Sequence, residues 1–292
     1  MGKVKSIILA LAAAAFYAIN VPFSKILLEH VEAKTMAALL YLGAGIGVGI
    51  MSIFTKNDTD ERLGRKDMPY VIGMVVLDIA APIFLMLGIS YGSSSNASLL
   101  GNFEIVATTL IALLIFKENV SKKLWKAILL ITISSMILSF EGLDSFQFSY
   151  GSIFVLLAAT CWGLENNCTR SISDKSTYQI VMIKGIFSGL GALLIAILTK
   201  EQIPNIKYML LALSLGFVAY GLSIFMYVRA QNTLGAAKTS AYYAIAPFIG
   251  SFLSFAFLKE KLTYMYLVAL LVMIAGTVLI VSDTLKQEAL SK

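Results

Sequence analysis

The sequence has little of the chemistry that most enzymes use. Its 292 residues include one histidine and two cysteines, and only 14% of them are charged. Because His30 is the single histidine and lies in a short predicted loop, neither a histidine-based metal cluster nor an intramembrane Ser-His-Asp triad can be assembled. The sequence contains no P-loop pattern, which argues against an ATP-driven pump. Cys161 and Cys168 lie about 10 Å apart along one apolar helix, too far for a mutual disulfide. We therefore expect no metal and no cofactor.

Apolar residues are what the chain has in excess. They make up 58% of the sequence, and the mean hydropathy is +0.83. Soluble domains contain about 45–50% apolar residues even with glycine counted, and about 25% charged residues. Most of this chain must therefore be solvated by lipid. The composition excludes a cytosolic enzyme and a nucleic-acid binder, and it makes the lipid bilayer the main partner.

Hydropathy divides the chain into ten apolar segments, each close to the roughly 20 residues that a membrane-spanning helix needs. The sequence thus predicts an all-α membrane protein with ten transmembrane helices. The predicted spans cover residues 6–28, 35–55, 69–91, 94–116, 123–140, 149–170, 177–199, 207–230, 234–258 and 263–282.

The distribution of basic residues predicts how these spans are oriented. With a cytoplasmic N-terminus, 16 of the 23 lysines and arginines fall on the cytoplasmic side and five on the outer side. Such a bias favours ten spans with both termini in the cytoplasm. There are 19 lysines but only four arginines, and no leader rich in Arg and Ser is present, so we expect the inner membrane of a bacterium.

The two halves of the chain resemble each other. Phe116-Lys117-Glu118 closes the fourth predicted span, and Leu258-Lys259-Glu260 closes the ninth, 142 residues later. We therefore predict five-helix repeats at residues 1–140 and 149–282, followed by a short cytoplasmic tail at 283–292. Since five spans is an odd number, the second repeat must be inverted relative to the first, which is the usual architecture of secondary transporters.

These features resemble the EamA family of the drug/metabolite transporter superfamily. The resemblance is carried by the closing Lys-Glu pairs, the small residues of spans four and nine, and the segment Tyr243-Ala244-Ile245-Ala246-Pro247-Phe248. It implies a ten-helix carrier whose central cavity is lined mainly by spans one, three, four, six, eight and nine. Where the family often repeats proline in span four, this chain has Ile105, preceded by Glu104.

Three acids lie inside predicted spans, where an unpaired carboxylate costs about 2.5–3.5 kcal/mol. Glu104 lies near the bilayer midplane, on a stripe of small and polar residues that favours either a cavity wall or close helix packing. Asp78 also lies near the midplane, just before Pro82. Glu165 lies at a depth similar to that of Lys184 in span seven, so it either forms an ion pair there or binds substrate or protons.

Further polar and aromatic side chains complete the candidate substrate and proton site. Asn20 is the repeat counterpart of Glu165, Asn102 lies beside Glu104, and Tyr220 is the counterpart of Asp78. Tyr243 could present a hydroxyl or a ring face to a ligand. Helix kinks are predicted where prolines remove backbone hydrogen bonds; these are Pro22, Pro82 and Pro247.

Together these patterns predict a secondary active transporter for a small metabolite. An amino acid, a related zwitterion or cation, or a toxic compound would be exported by alternating access in exchange for protons. Desolvation disfavours the charged form of a buried acid, which suits Glu104 to exchange protons with its surroundings. An uptake carrier and a facilitative channel are the alternatives, and an integral membrane enzyme is a weaker one. The sequence leaves the substrate and the oligomeric state open.

Overall fold

The chain folds into helices, as its apolar segments predict. A computed structural model describes residues 2–54, 61–116, 121–139, 149–234, 239 and 242–290, so Lys117-Glu118 at the end of the fourth predicted span lies outside the described residues. Within these ranges the all-α prediction is confirmed. The helices are α1 (Lys3–Ala18), α2 (Asn20–Leu27), α3 (Ala33–Ile53), α4 (Met68–Tyr91), α5 (Ser94–Leu100), α6 (Phe103–Phe116), α7 (Lys122–Ser139), α8 (Tyr150–Ser171), α9 (Thr177–Leu198), α10 (Ile206–Gly216), α11 (Ser223–Leu234), α12 (Ala246–Leu258) and α13 (Tyr264–Leu290).

Six helical segments among the described residues are long and apolar enough to cross a membrane. The segment Ala246–Leu258 is apolar but shorter. Each of the ten predicted spans overlaps at least one of the helices, although the crossing of all ten stays a prediction. The six segments are Val4–Leu27, Ala33–Ile53, Arg65–Tyr91, Thr177–Leu198, Ile206–Ala230 and Tyr264–Asp283.

Several helices are interrupted near their middle. Pro22 cannot donate a backbone hydrogen bond, and α1 ends at Ala18 before α2 begins at Asn20. The break between α5 and α6 occurs without proline, at Gly101 and Asn102. A π-helical turn, Phe217–Leu222, joins α10 to α11, and such turns are frequent at functional sites. Pro247 lies in the first turn of α12, whereas Pro82 lies inside the unbroken helix α4.

Hydrogen bonds tie the connecting segments together on two opposite faces of the bundle. On one, the distal face, Glu201 binds the amide nitrogens of Lys34 and Thr35, at 3.2 and 2.7 Å. On the other, the proximal face, the Lys175 ammonium lies 2.9 Å from a carboxylate oxygen of Glu61. Beyond the tenth predicted span, the chain continues as helix α13 through Leu290.

Glycine allows α3 and α9 to pack with their backbones in contact. A Cβ added at Gly185 would lie 2.3 Å from the amide nitrogen of Gly45 and 2.8 Å from the carbonyl oxygen of Tyr41. A Cβ added at Gly45 would lie 2.6 Å from the amide nitrogen of Ile186. Without a strong hydrophobic force between helices in lipid, such close approach is a main source of association. It also brings Tyr41 and Lys184 into the same central layer.

Alanine substitutions on one face of α3 test this packing. Gly45→Ala should destabilise the protein by about 1–3 kcal/mol, because the new methyl group meets backbone atoms that cannot move independently. Gly49→Ala is the matched control one turn away, since its Cβ would be 3.6 Å from the flexible Met182 side chain. Thermal unfolding in detergent should show a lower Tm for Gly45→Ala and no loss for Gly49→Ala. Equal Tm values would contradict this packing.

Candidate functional site

A cluster of buried charges lies where α4, α8 and α9 meet. The ammonium of Lys184 is 3.2 Å from Oδ2 of Asp78 and 2.9 Å from Oε1 of Glu165. Lys184 is 6% exposed, Asp78 is 0% exposed and Glu165 is 1% exposed. Removing ions from water costs several kcal/mol each, and only close, well-bonded partners offset that cost. Lys184 therefore holds both carboxylates in place. The ion pair between Glu165 and Lys184, one of the alternatives that the sequence left open, is present together with a second pair.

Hydrogen bonds extend this charge cluster to neighbouring elements. Tyr41 on α3 donates its hydroxyl to Oδ1 of Asp78 at 2.8 Å, and the indole nitrogen of Trp162 donates to the Tyr41 oxygen at 3.3 Å. Thr169 donates to Glu165 from one turn further along α8. Fully satisfied polar networks rigidify a buried region. The cluster thus connects α3, α4, α8 and α9 through polar side chains.

Glu104 lies beside this charge cluster, in the first turn of α6. Gly163 allows α6 to pack directly on α8, because a Cβ there would lie 2.7 Å from that of Ala107. One turn along both helices, the amide of Asn166 donates to Oε1 of Glu104 at 2.6 Å. Among the described residues, no lysine or arginine lies within ion-pair distance of Glu104. The Glu104 carboxylate is therefore stabilised by the neutral amide of Asn166 and by the positive end of the α6 helix dipole.

An aromatic group lies next to Glu104. It consists of Tyr17, Tyr41, Tyr220, Tyr243 and Trp162. The ring of Tyr17 is 5.8 Å from those of Tyr220 and Tyr243, and 6.4 Å from that of Trp162. Tyr41 and Tyr220 are 5.0 Å apart. Trp162 lies one turn along α8 from Asn166, which donates to Glu104, so this aromatic group borders the carboxylate.

The centre of the bundle retains accessible polar surface at this point. Glu104, Asn166, Tyr17 and Tyr243 are half-buried, although Tyr17 is enclosed by rings from three other elements. By contrast, Tyr220 is fully buried and accepts a hydrogen bond from Asn20 at 3.0 Å. Glu104 and Tyr17 therefore keep part of their surface accessible, whereas Tyr220 does not.

Asn102 is a buried polar side chain that is left unsatisfied. It lies in the turn between α5 and α6 and is 1% exposed. Neither its oxygen nor its nitrogen finds a hydrogen-bond partner among the residues that the structure describes. A buried polar group without a partner costs about 1–3 kcal/mol, so such groups are rare. Asn102 is thus a polar group at the helix break, two residues before Glu104, whose side chain lacks a partner in the described structure.

Polar contacts join the fourth and ninth predicted spans in the distal half of the bundle. The hydroxyls of Ser94 on α5 and Ser254 on α12 are 2.8 Å apart. Lys259 adopts a left-handed conformation that ends α12, and Glu260 then accepts hydrogen bonds from the amides of Ser94 and Ser95 at 2.7 and 2.9 Å. The carboxylate thereby caps α5 at its positive end.

The structure brings most of the predicted site residues together in two adjoining groups. Asp78, Glu165 and Lys184 form the charge cluster, while Asn20 and Tyr220 join the aromatic group near Glu104 and Tyr243. Asn102 lies at the helix break, and Pro22 and Pro247 lie beside helix ends. In the described part of the chain, no group of three or more His, Cys, Asp or Glu side chains could hold a metal ion.

Sequence reasoning missed Tyr17, Tyr41, Trp162 and Asn166 as site residues. The signal for Tyr41 is its position, since it lies near the middle of a helix of 21 residues. Tyrosine is usually found at the membrane interface, where its hydroxyl can bind water. Near the middle of a span there is no water, so the Tyr41 hydroxyl requires a hydrogen-bond partner inside the protein. Asn166 gives a similar signal, because an amide within an apolar helix must also be hydrogen-bonded.

Replacing Lys184 tests the charge cluster. Lys184→Met leaves two buried carboxylates without their cation and should destabilise the protein by about 3–5 kcal/mol. The variant that combines Asp78→Asn, Glu165→Gln and Lys184→Met carries no charge there and should regain most of that loss. Thermal unfolding in detergent measures both. A Tm for Lys184→Met equal to that of the unaltered protein would show that the ions are not held as described.

Comparison with known proteins gives a consistent result. The model of the EamA-like transporter family matches residues 4–140 and again residues 149–282. An uncharacterized transporter of Methanothermobacter thermautotrophicus is 25% identical, over 91% of this chain and 83% of its own length. The uncharacterized transporter YyaM of Bacillus subtilis is 21% identical, over 71% of each chain.

A solved crystal structure of a protein shares the fold. It superposes with a TM-score of 0.72 at 14% identity and covers 98% of this chain and 100% of its own. The two family matches together span nearly the whole sequence, one over each half. With apolar helices long enough to cross a bilayer, the chain is a multi-pass membrane protein, and it belongs to the EamA-like transporter family.

Proposed function

We propose that this transporter exports a small metabolite across the bacterial inner membrane by alternating access, in exchange for protons. The observation that carries the proposal is Glu104: a half-buried carboxylate in the first turn after a helix break, hydrogen-bonded to the neutral amide of Asn166. Broken helices line the substrate and ion sites of many secondary transporters.

The pattern of helix contacts supports inverted repeats. In the predicted repeat, spans one and six are counterparts, as are spans three and eight. Helix α4 of span three packs extensively on α8 of span six, and α11 of span eight packs on α1 of span one. If each span is replaced by its counterpart in the other repeat, the contact between spans three and six becomes the contact between spans eight and one. Because five alternating spans make up each repeat, the symmetry axis lies in the membrane plane.

Closure at one end of the bundle supports alternating access. Helices α5 and α12 meet in the distal half through Ser94 and Ser254, while α6 continues the fourth span by packing on α8 in the other half. We propose that the distal face is the outer face and that both termini are cytoplasmic. The structure then corresponds to a state that is closed to the outside.

Proton exchange at Glu104 provides the driving force. An elementary charge that crosses 100 mV supplies about 2.3 kcal/mol. When the substrate and the proton compete for the same carboxylate, inward proton flow drives the substrate outward. The proposed substrate is an amino acid, a related zwitterion or cation, or a toxic compound. Uptake by the same reversible cycle is the alternative, and a facilitative channel would be distinguished by its lack of saturable counterflow.

Neutralising Glu104 tests proton coupling. Liposomes that contain the protein and a pH-sensitive dye are exposed separately to amino acids, nucleobases and organic amines. At least one compound should induce a proton flux, and Glu104→Gln should abolish that flux because the glutamine amide cannot take up or release the proton. Asp174→Asn is the control, since Asp174 is exposed and lies near Lys175 in a loop. An unchanged flux in Glu104→Gln would refute the coupling role.

A disulfide across the distal closure tests alternating access. In a background with Cys161 and Cys168 replaced by alanine, the double variant Ser94→Cys and Ser254→Cys places two thiols where hydroxyls are 2.8 Å apart. Oxidation should stop transport, and a reducing agent should restore it. Each single variant is a control that should be insensitive to oxidation. Transport that continues in the fully cross-linked protein would exclude opening at this face.

A further inference from the structure

The charges around the central site are unbalanced. Lys184 lies between Asp78 and Glu165, so with all three ionised this cluster carries one net negative charge. When it is ionised, Glu104 adds a second negative charge, because its partner Asn166 is neutral. Lys184, which could have attracted an anionic substrate, is thus occupied by two carboxylates. A bound guest therefore meets an electrostatic field that favours positive charge.

The aromatic group is arranged next to the same negative charge. Aromatic ring faces carry partial negative charge and attract ammonium groups within about 6 Å of the ring centroid. Tyr17 packs nearly edge-on against Trp162 and Tyr220, at interplanar angles of 80° and 75°. Tyr17 and Tyr243 both remain half-buried, so their accessible parts are available to a guest beside Glu104.

From this combination of charge and aromatic rings we infer that the site takes an organic cation, an amine or ammonium compound seated between the carboxylate of Glu104 and the rings of Tyr17 and Tyr243. The inference rests on the proposed transport function and narrows its substrate class. A carboxylate on the substrate would be repelled by Glu104. The unsatisfied amide of Asn102 is the neutral group left to bind any further polar atom of the cation.

Trp162 provides a direct measurement of binding. The chain has two tryptophans, and Trp125 is 48% exposed on α7, so Trp125→Phe leaves Trp162 as the single fluorescent reporter inside the aromatic group. Purified protein of this background is titrated with two matched series of compounds. One is phenethylamine, phenylalanine and 3-phenylpropionate, and the other is isoamylamine, leucine and 4-methylpentanoate. Within each series the carbon skeleton is nearly constant and the charged groups differ.

The amine of at least one series should bind at least about tenfold more tightly than its amino acid, and the two carboxylates should not bind. Glu104→Gln should weaken amine binding by about tenfold or more, a loss typical of removing a buried charged partner. Asp174→Asn should leave it unchanged. An amino acid that binds as tightly as its amine, an amine affinity unaffected by Glu104→Gln, or the lack of any saturable signal would overturn the inference.

Substitution of Tyr17 separates ring attraction from hydrogen bonding. Tyr17→Phe keeps the ring face and should retain amine affinity, whereas Tyr17→Leu should weaken it by about fivefold. Tyr91→Leu is the matched control, because Tyr91 is 64% exposed at the end of α4. Equal losses in Tyr17→Phe and Tyr17→Leu would refute the role of the ring.

The experiments distinguish a wrong substrate class from a wrong transport mechanism. If a zwitterion binds best and induces a proton flux that Glu104→Gln abolishes, the proposed transport function holds and the cation inference is wrong. If an amine binds through Glu104 without inducing a proton flux, the cation inference holds and proton coupling is wrong.

Discussion

The arrangement of this protein depends on how Lys184 is held between Asp78 and Glu165. In a medium of low dielectric constant, each of these ions would be costly alone, and the helices that carry them must stay close enough to keep them paired. Asp78 also accepts the Tyr41 hydroxyl, which in turn accepts the indole N–H of Trp162. The charge cluster therefore joins α3, α4, α8 and α9 and leaves Glu104 as the carboxylate with a neutral partner.

Transport requires that rigid packing and movable contacts coexist in one bundle. The glycines of α3 and α9 place backbones in contact, which favours a fixed pair of helices. The contacts between α5 and α12 are of another kind, since they consist of serine hydroxyls and a carboxylate that caps a helix end. Such polar contacts can be exchanged for water when a face opens. Helix breaks next to Asn102 and Pro247 lie at the level where this exchange would be transmitted to the site.

Much of the fold could be predicted from the sequence, because lipid imposes simple requirements. Apolar runs of about 20 residues predict the helices that cross the membrane. The orientation inferred from the bias of lysine and arginine, and the inversion inferred from an odd number of spans per repeat, stay predictions. Acids and a lysine within apolar runs stand out because lipid penalises them. For that reason Asp78, Glu104, Glu165 and Lys184 could be selected without coordinates.

The sequence by itself determined that this chain spans a membrane, that it consists of two related halves, and that ionisable residues lie within its apolar runs. Only the tertiary structure decided how those residues are paired. Periodicity cannot show that Lys184 binds two acids, that Tyr41 donates to one of them, or that Asn166 supports Glu104. These partners lie on different helices, and the rotation of each helix follows from close packing at residues such as Gly45, Gly163 and Gly185. Hydropathy records how deep a residue lies in the membrane, whereas its partner depends on which helix faces it.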